Sequence, residues 1–171
     1  MTSGPAALTL AVAVAGCGEK QEYAVPEKVC GVPLEEGTVA LLLPEGEHLA
    51  ERGTPLPAHH DYCRLLVDRG RALTVTFSPT RTLHDPMGDR SAYAFTRRAE
   101  MRDLPLPGEG ALGDDSAVVA ARCGGSGPGY LTIDFYADKD VVRDTARRRA
   151  ALREFALAYT SGARKKAGCA G

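Results

Sequence analysis

Four stretches of the chain show the pattern of half-buried β-strands. Residues 73–77 alternate apolar side chains with threonine, and residues 130–137 alternate apolar with polar side chains. Such alternation buries one face of a strand and leaves the other in water. Residues 60–67 and 116–123 are also strand-like, and each is followed by a turn that contains glycine. The pattern therefore predicts two β-hairpins.

Helical periodicity predicts three helices. The longest covers residues 138–166, with aspartates at its start and basic residues at its end that complement the helix dipole. A second is predicted over residues 87–101, from Ala92, Phe95 and Ala99 on one side, and a first begins at Pro33 and stops at Pro44. Residues 45–57 and 104–115, which are interrupted by proline and glycine, are predicted to be loops.

The order helix, hairpin, helix, hairpin, helix indicates an α+β fold. We expect a mainly antiparallel sheet of two hairpins with three helices packed on it. A single hairpin is only marginally stable, so the two should join into one sheet. A chain of 171 residues, of which 44% are hydrophobic, is enough for one domain.

The N-terminus has the features of an export signal. Residues 1–16 contain no acidic or basic side chain, and residues 6–15 are an unbroken run of alanine, leucine, threonine and valine. As a helix this run would span about 15 Å, half of a roughly 30 Å membrane core, which is too short for a stable anchor. We interpret residues 1–16 as a signal peptide, although no basic residue precedes the run. The alternative is a buried N-terminal helix.

The run ends in Val14-Ala15-Gly16-Cys17, which resembles the lipobox of bacterial lipoproteins. In that family the cysteine thiol receives a diacylglyceryl group and the chain is cut just before the cysteine. The resemblance implies lipidation of Cys17 and location on the extracytoplasmic face of the cell membrane. The short, polar and unpatterned segment that follows predicts a lipidated tether over residues 17–29. The alternative is an ordinary signal peptide followed by a cysteine that forms a disulfide.

The cysteine count agrees with a lipidated Cys17. The chain has five cysteines, so an exported protein would have one thiol left over, and lipidation removes it. The other four form no CxxC motif, which favours structural disulfides over a redox or zinc site. Three pairings are possible. We predict Cys30–Cys63 and Cys123–Cys169, because each pair stays within one helix-and-hairpin unit of a single domain, residues 30–171.

Several short motifs of the chain resemble small secreted lipoproteins of streptomycetes and related actinobacteria. Besides the lipobox they are Tyr23-Ala24-Val25-Pro26, Cys30-Gly31-Val32-Pro33 and Leu42-Leu43-Pro44-Glu45-Gly46. The later strand with its cysteine, the glycine-rich turn and the long last helix also fit. That family has no established activity, so the resemblance implies no catalytic residues. The element order is similar to PsbP-like sandwiches, an analogy of fold alone.

Histidine is scarce, and its placement favours no metal or acid–base site. The densest group is His59-His60-Asp61, but adjacent residues of a strand point to opposite faces and cannot easily share one ion. We interpret this group as the edge of a loop. His84 lies just before a proline and is interpreted as part of a turn. We expect no metal and no cofactor.

The remaining polar motifs do not meet the requirements of known catalytic sites. Ser126 lies between glycines, yet the nucleophile elbow needs a glycine two residues after the serine, where this chain has Pro128. Asp114 and Asp115 could be half of a hydrolytic carboxylate pair, but nothing identifies a partner. We interpret the two aspartates as a solvated loop and predict no catalytic residues.

The densest charge cluster lies on the last predicted helix. Residues 138–166 include nine basic and four acidic side chains, an excess of five positive charges, whereas the whole chain has a net charge of −1. Arg148 is expected to extend outward from the edge of the apolar stripe. The cluster is either the solvated back of a helix or a patch that meets anionic lipid, wall polymer or an acidic partner. For the second case the binding residues are Arg143, Arg147, Arg149 and Arg153.

The sequence thus predicts a membrane-anchored extracytoplasmic lipoprotein with a non-enzymatic binding or accessory domain. The alternative is a small envelope hydrolase or transferase with an unidentified active site. A deep polar pocket with a perturbed histidine or carboxylate would favour the enzyme. A solid core with a flat exposed patch would favour the binding domain. The low net charge gives no reason to expect nucleic acid as a partner.

Overall fold

A computed structural model of the chain describes residues 21–56, 61–125 and 128–169. Cys17, His59, His60 and Ser126 lie outside the described residues, so the predictions made for them remain predictions. The elements are β1 (Lys28–Val29), β2 (Val32–Pro33), α1 (Glu36–Ala40), β3 (Leu49–Gly53), β4 (Asp61–Val67), β5 (Gly70–Thr80), a 3-10 helix (Asp89–Ala94), β6 (Ala99–Glu100), β7 (Gly108–Leu112), β8 (Ser116–Arg122), β9 (Tyr130–Ala137) and α2 (Thr145–Lys166).

The fold is α+β with an antiparallel sheet, as predicted. The two predicted hairpins are β4–β5 and β8–β9, and they join where β5 pairs with β9. The sheet is larger than predicted, with seven strands in the order β3-β4-β5-β9-β8-β7-β6, and β1 and β2 form a separate two-stranded sheet. The hairpins therefore form the centre of the sheet, and short strands extend both edges.

The core lies between one face of the sheet and α2. Phe155 and Tyr159 of the helix pack edge-on against Phe135 of β9, with ring centroids 5.8 and 5.6 Å apart. All three side chains are buried. Near the end of α2 a β-carbon on Gly162 would lie 2.5 Å from a methyl carbon of Val32. Glycine at this position lets the N-terminal hairpin pack directly on the helix.

The helix predicted over residues 87–101 was wrong. Only the 3-10 helix forms there, and the chain then becomes extended and pairs as β6. Ala92 and Ala99, predicted to share a buried side, are exposed, and Arg97 has a left-handed φ of 50°. A helix of two small alanines and one phenylalanine would bury little apolar surface. The segment is instead held to the sheet by hydrogen bonds, including one from the Ser116 hydroxyl to the Ala94 carbonyl.

Two strands lie in stretches without predicted strands, and the bounds of two helices differ from the predictions. Residues 45–57 and 104–115, which were predicted to be loops, contain β3 and β7. The glycines and charged residues of these two strands give them little strand preference in the sequence. The first helix is only α1, and Pro33 belongs to β2. The longest helix begins at Thr145 instead of at residue 138, because Asp144 is its N-cap: the Asp144 side chain accepts a hydrogen bond from the Arg147 amide.

Residues 21–29, the part of the predicted tether that the structure describes, contact the domain. Gln21 forms a parallel bridge with Gly46, and the Tyr23 hydroxyl donates to the Pro44 carbonyl. Tyr23 and Val25 pack against the core. The polar composition of this segment suggested a free linker, but its tyrosine and valine supply the contacts that hold it to the domain.

The predicted disulfides, Cys30–Cys63 and Cys123–Cys169, are confirmed. Both lie at the end of the sheet where α2 finishes. At this end the Lys166 ammonium donates to the Gly31 carbonyl and the Arg164 guanidinium to the Arg122 carbonyl. We call it the disulfide end.

Candidate functional site

The opposite end of the sheet holds the start of α2 and the turn between β7 and β8. The turn packs closely against the chain after the 3-10 helix: a β-carbon on Gly113 would lie 3.1 Å from both the Phe95 ring and the Thr96 carbonyl oxygen. The Asp114 amide donates to that Thr96 oxygen at 3.0 Å. Three segments distant in sequence therefore meet here, and we call this the arginine end.

Arg148 is buried at the arginine end, contrary to the prediction that it extends outward. The residue is 5% exposed. Its guanidinium donates to the carbonyls of Asp114 (2.7 Å), Lys139 (3.2 Å) and Val142, and to the Thr145 hydroxyl (3.4 Å). Among the described residues no carboxylate lies within ion-pair distance of it. Arg148 thus joins the chain before α2 to the β7–β8 turn and leaves its positive charge unpaired.

Asp114 is also buried, so its interpretation as a solvated loop residue was wrong. Its side chain is 12% exposed and accepts hydrogen bonds from Arg97 (2.8 Å) and Arg149 (3.1 Å). Burial raises the pKa of Asp114, but the hydrogen bonds and charges of the two arginines outweigh this effect and lower the pKa overall. Asp114 is therefore ionised at neutral pH, shared between two guanidinium groups.

The four arginines predicted to bind a partner have different roles. Arg149 also donates to the carbonyls of Arg97 (3.0 Å) and Leu112 (3.3 Å), and Arg153 donates to the Arg102 carbonyl (3.0 Å). These two fasten α2 to the neighbouring chain. Arg143 and Arg147 are exposed, and Arg143 precedes the helix. Part of the arginine cluster predicted to bind a partner therefore has a structural role. Arg97, which lies outside the helix, joins the cluster through its ion pair with Asp114.

A pocket of about 450 Å³ opens between these groups. It is lined by Arg97, Asp114, Thr145, Ala146 and Arg149, and we call it the arginine pocket. Two of the lining residues, Arg97 and Arg149, are positively charged and one, Asp114, is negatively charged. The buried Arg148 donates hydrogen bonds to two lining residues, Asp114 and Thr145, and its charge brings the local excess to two positive charges. Planar guanidinium groups bind carboxylate and phosphate oxygens with paired hydrogen bonds. The pocket is therefore suited to an oxyanion.

The side chains of Asp61 and His84 form hydrogen bonds with neighbouring residues. Hydrogen bonds from the Thr54 hydroxyl and the Tyr62 amide lower the pKa of Asp61. His84 Nε2 lies 2.9 Å from the Ser91 hydroxyl, which donates its own proton to the Asp85 carbonyl. With the Ser91 proton on the Asp85 carbonyl, the Nε2–H tautomer of His84 donates to Ser91, and the three groups hold the turn together. Ser91 is also only 5% exposed.

Sequence reasoning missed a second site, a small cleft on the sheet face opposite α2. Asp134 lies in it among threonines of β5. The alternating pattern of β9 correctly placed Asp134 on the polar face. The one available signal was a single acidic residue among hydroxyl-bearing neighbours. Its burial depends in part on the segment that contains His84 and Ala94, which was predicted to be a turn followed by a helix.

Potential metal ligands come together at one place in the described chain. Cys30, Glu51 and Cys63 lie close enough to share an ion, but both sulfurs are in the disulfide. No helix within the described ranges is long and apolar enough to cross a membrane. The chain matches no family model, and comparison with curated proteins and with solved structures found no match.

Proposed function

We propose that the protein is an exported, lipid-anchored binding domain without enzymatic activity, displayed on the extracytoplasmic face of the cell membrane. In this proposal the arginine pocket holds oxyanion groups of an anionic envelope polymer. The observation that carries the binding role is the charge balance at the pocket, where the guanidinium groups of Arg97 and Arg149 share the Asp114 carboxylate and the buried Arg148 adds a third positive charge on the Asp114 backbone. An acidic protein partner would offer similar groups, but a shallow open pocket of this size suits repeated compact oxyanions better.

Two features support export and anchoring. The disulfides are of the structural kind that persists in oxidising compartments. The lipobox-like motif places Cys17 four residues before Gln21, and Gln21 bridges to Gly46 beside the β4–β5 turn. That turn lies at the arginine end, so a lipid on Cys17 would hold the arginine pocket close to the membrane surface.

The alternative, a small envelope hydrolase or transferase, has one observation in its favour. Asp134 lies in a cleft and burial raises its pKa, as in many catalytic carboxylates. Among the described residues, however, no histidine lines the cleft, and its serine, Ser116, donates its hydroxyl to a backbone carbonyl. We therefore prefer the binding domain. A PsbP-like sandwich remains part of the proposal as a fold expectation.

Lipid anchoring is tested by expression in an actinobacterial host. We expect the wild-type protein to partition into Triton X-114 detergent and its mature N-terminus to be a diacylglyceryl-modified Cys17. Two acyl chains at about 0.8 kcal/mol per buried methylene suffice for stable anchoring. Cys17→Ser should move the protein to the aqueous phase or leave it unprocessed. An unmodified N-terminus in the intact mass of the wild-type protein would contradict the anchor.

Polymer binding is tested by calorimetric titration of the protein with sodium polyphosphate. We expect binding that weakens as salt is raised, because the contacts are between charges. Arg97→Gln should weaken it roughly tenfold, the effect of losing a charge-assisted pair of hydrogen bonds and partly uncovering Asp114. Arg97 is 69% exposed in its side chain, so the variant should fold.

Arg52→Gln is the matched control for this titration. It makes the same change in charge on an exposed residue of β3, at the opposite edge of the sheet. Equal losses in the two variants would mean that polyphosphate senses only the overall charge, and the arginine pocket would lose its assigned role. Binding of polyglutamate but not polyphosphate would favour an acidic protein partner instead.

A further inference from the structure

The cleft around Asp134 is a second, separate cavity of about 180 Å³. It lies on the sheet face that α2 does not cover. Thr74 and Thr76 of β5, Val118 of β8 and Tyr136 of β9 line it, and Ala94 of the 3-10 helix closes one side. In the sheet register Thr76 lies opposite Asp134 and Thr74 opposite Tyr136. Adjacent strands thus present hydroxyl groups and a carboxylate to one small space, which we call the threonine cleft.

Polar groups of the threonine cleft lack partners. The Thr74 hydroxyl is buried and has no hydrogen-bond partner. Beside the cleft, the hydroxyl of Thr132, two residues along β9 from Asp134, is also buried and unpartnered, although Thr132 does not line the cleft itself. No hydrogen bond or ion pair to the Asp134 carboxylate occurs among the described residues. Buried polar groups are nearly always paired, so such a cluster indicates a place for a polar ligand.

The charged neighbours of Asp134 do not neutralise it by direct contact. His84, from the segment that covers this face, is close enough to influence its pKa, but His84 Nε2 is held by Ser91. The guanidinium groups of Arg64 and Arg71 lie over the rings of Tyr62 and Tyr136, at 4.3 and 5.0 Å. Asp134 is the one ionisable carboxylate among the residues that line the cleft.

We propose that the threonine cleft binds a small organic cation with a primary ammonium group, which donates hydrogen bonds to Asp134 and to the threonine hydroxyls. An ammonium group has three donors and no acceptor, which matches a carboxylate beside open hydroxyl oxygens. The volume is below the roughly 300 Å³ of the smallest pockets for drug-sized ligands, so the ligand has few heavy atoms. This site is independent of the arginine pocket, which has the opposite charge.

The electrostatics of Asp134 agree with this assignment. Burial raises the pKa of Asp134 above its ordinary value of 3.8, and His84 offsets this in part. A bound ammonium would lower the pKa again. Protons and the cation therefore compete, and binding should strengthen as the pH rises through the pKa of Asp134 in the folded protein.

The test is a titration of the isotopically labelled protein with ethanolamine, followed by NMR shifts of the β5 and β9 amides. Ethylene glycol, a neutral molecule of similar shape, is the ligand control. We expect saturable shifts with ethanolamine, centred on residues 74–76 and 132–136, and none with the glycol. Asp134→Asn should weaken binding roughly tenfold or more, the loss of one charge-assisted hydrogen bond.

Asp140→Asn is the control variant, because it removes the same charge from an exposed residue after β9. It should bind ethanolamine as the wild type does. Thermal unfolding checks that both variants fold. Because the pKa of Asp134 is higher in the folded protein than its ordinary value of 3.8, the wild type should become less stable as the pH rises from 3.8 through the folded-state pKa. Asp134→Asn should not show this decrease. No saturable shift with ethanolamine, an equal response to the glycol, or unchanged binding by Asp134→Asn would each overturn the proposal.

Discussion

Replacement of Arg148 by methionine is expected to destabilise the domain by about 3 kcal/mol, as for loss of a buried charged hydrogen-bond donor. The methionine fills a similar volume but donates to none of the three carbonyls and the hydroxyl that Arg148 satisfies. The chain before α2 and the β7–β8 turn would lose their common partner. Urea unfolding of the oxidised protein, followed by far-ultraviolet circular dichroism, measures the change.

Arg147→Met is the control for Arg148→Met. The two arginines are adjacent and the substitution is the same, but the Arg147 side chain is exposed. Its effect should stay within about 0.5 kcal/mol, as for other surface substitutions. If Arg148→Met were as stable as Arg147→Met, removing the unpaired charge would have compensated for the lost hydrogen bonds. The structural role assigned to Arg148 would then be wrong.

Removal of either disulfide is expected to cost about 4 kcal/mol on the loop-entropy model. The two bonds close loops with sequence separations of 33 and 46 residues, and because the entropy grows only with the logarithm of loop length their effects should be similar. The double variants Cys30→Ala/Cys63→Ala and Cys123→Ala/Cys169→Ala isolate each bond. Their free energies of unfolding can be compared with that of the wild type in urea.

Peptide mapping without reduction is the companion measurement for the disulfide variants. It should recover one peptide pair that contains Cys30 and Cys63 and another that contains Cys123 and Cys169. A peptide that links Cys63 to Cys123 would contradict the connectivity. Unfolding free energies unchanged in both double variants would contradict the stabilising role of the bonds.

The sequence predicted the parts of the fold that have a strong local signal. The alternation in residues 73–77 and 130–137 is a property of β5 and β9 themselves, and both are central strands. β7 has no such signal, because its sequence Gly-Glu-Gly-Ala-Leu carries little strand preference and it forms by pairing with β8. The helix predicted over residues 87–101 also failed because long-range contacts decide the structure there. Its helical periodicity is weak, and contacts to a turn distant in sequence hold the segment in another conformation.

The candidate sites were harder to predict because the burial of their side chains depends on contacts between segments that are far apart in the sequence. Arg148 lies at the edge of the apolar stripe of its helix, and the β7–β8 turn that accepts its hydrogen bond makes it buried instead of exposed. Asp114 was interpreted as a solvated loop residue because the two arginines that contact its carboxylate, Arg97 and Arg149, are 17 and 35 residues away in the sequence. The cysteine pairing was predictable because it needed only the order of the elements.

The Cys123–Cys169 disulfide crosslinks the chain just after α2 to the chain just after β8, and both disulfides lie at the end of the sheet where the helix finishes. At that end the structure is crosslinked by covalent bonds. At the start of α2, in the part of the chain that the structure describes, Arg148 and Arg149 are held by hydrogen bonds and an ion pair. Partial opening should therefore swing the first turns of α2 away from the sheet, since the weakest contacts yield first. An oxyanion bound between Arg97 and Arg149 would link the first turns of α2 to the chain beside them. Ligand binding would therefore lower the frequency at which the start of the helix opens.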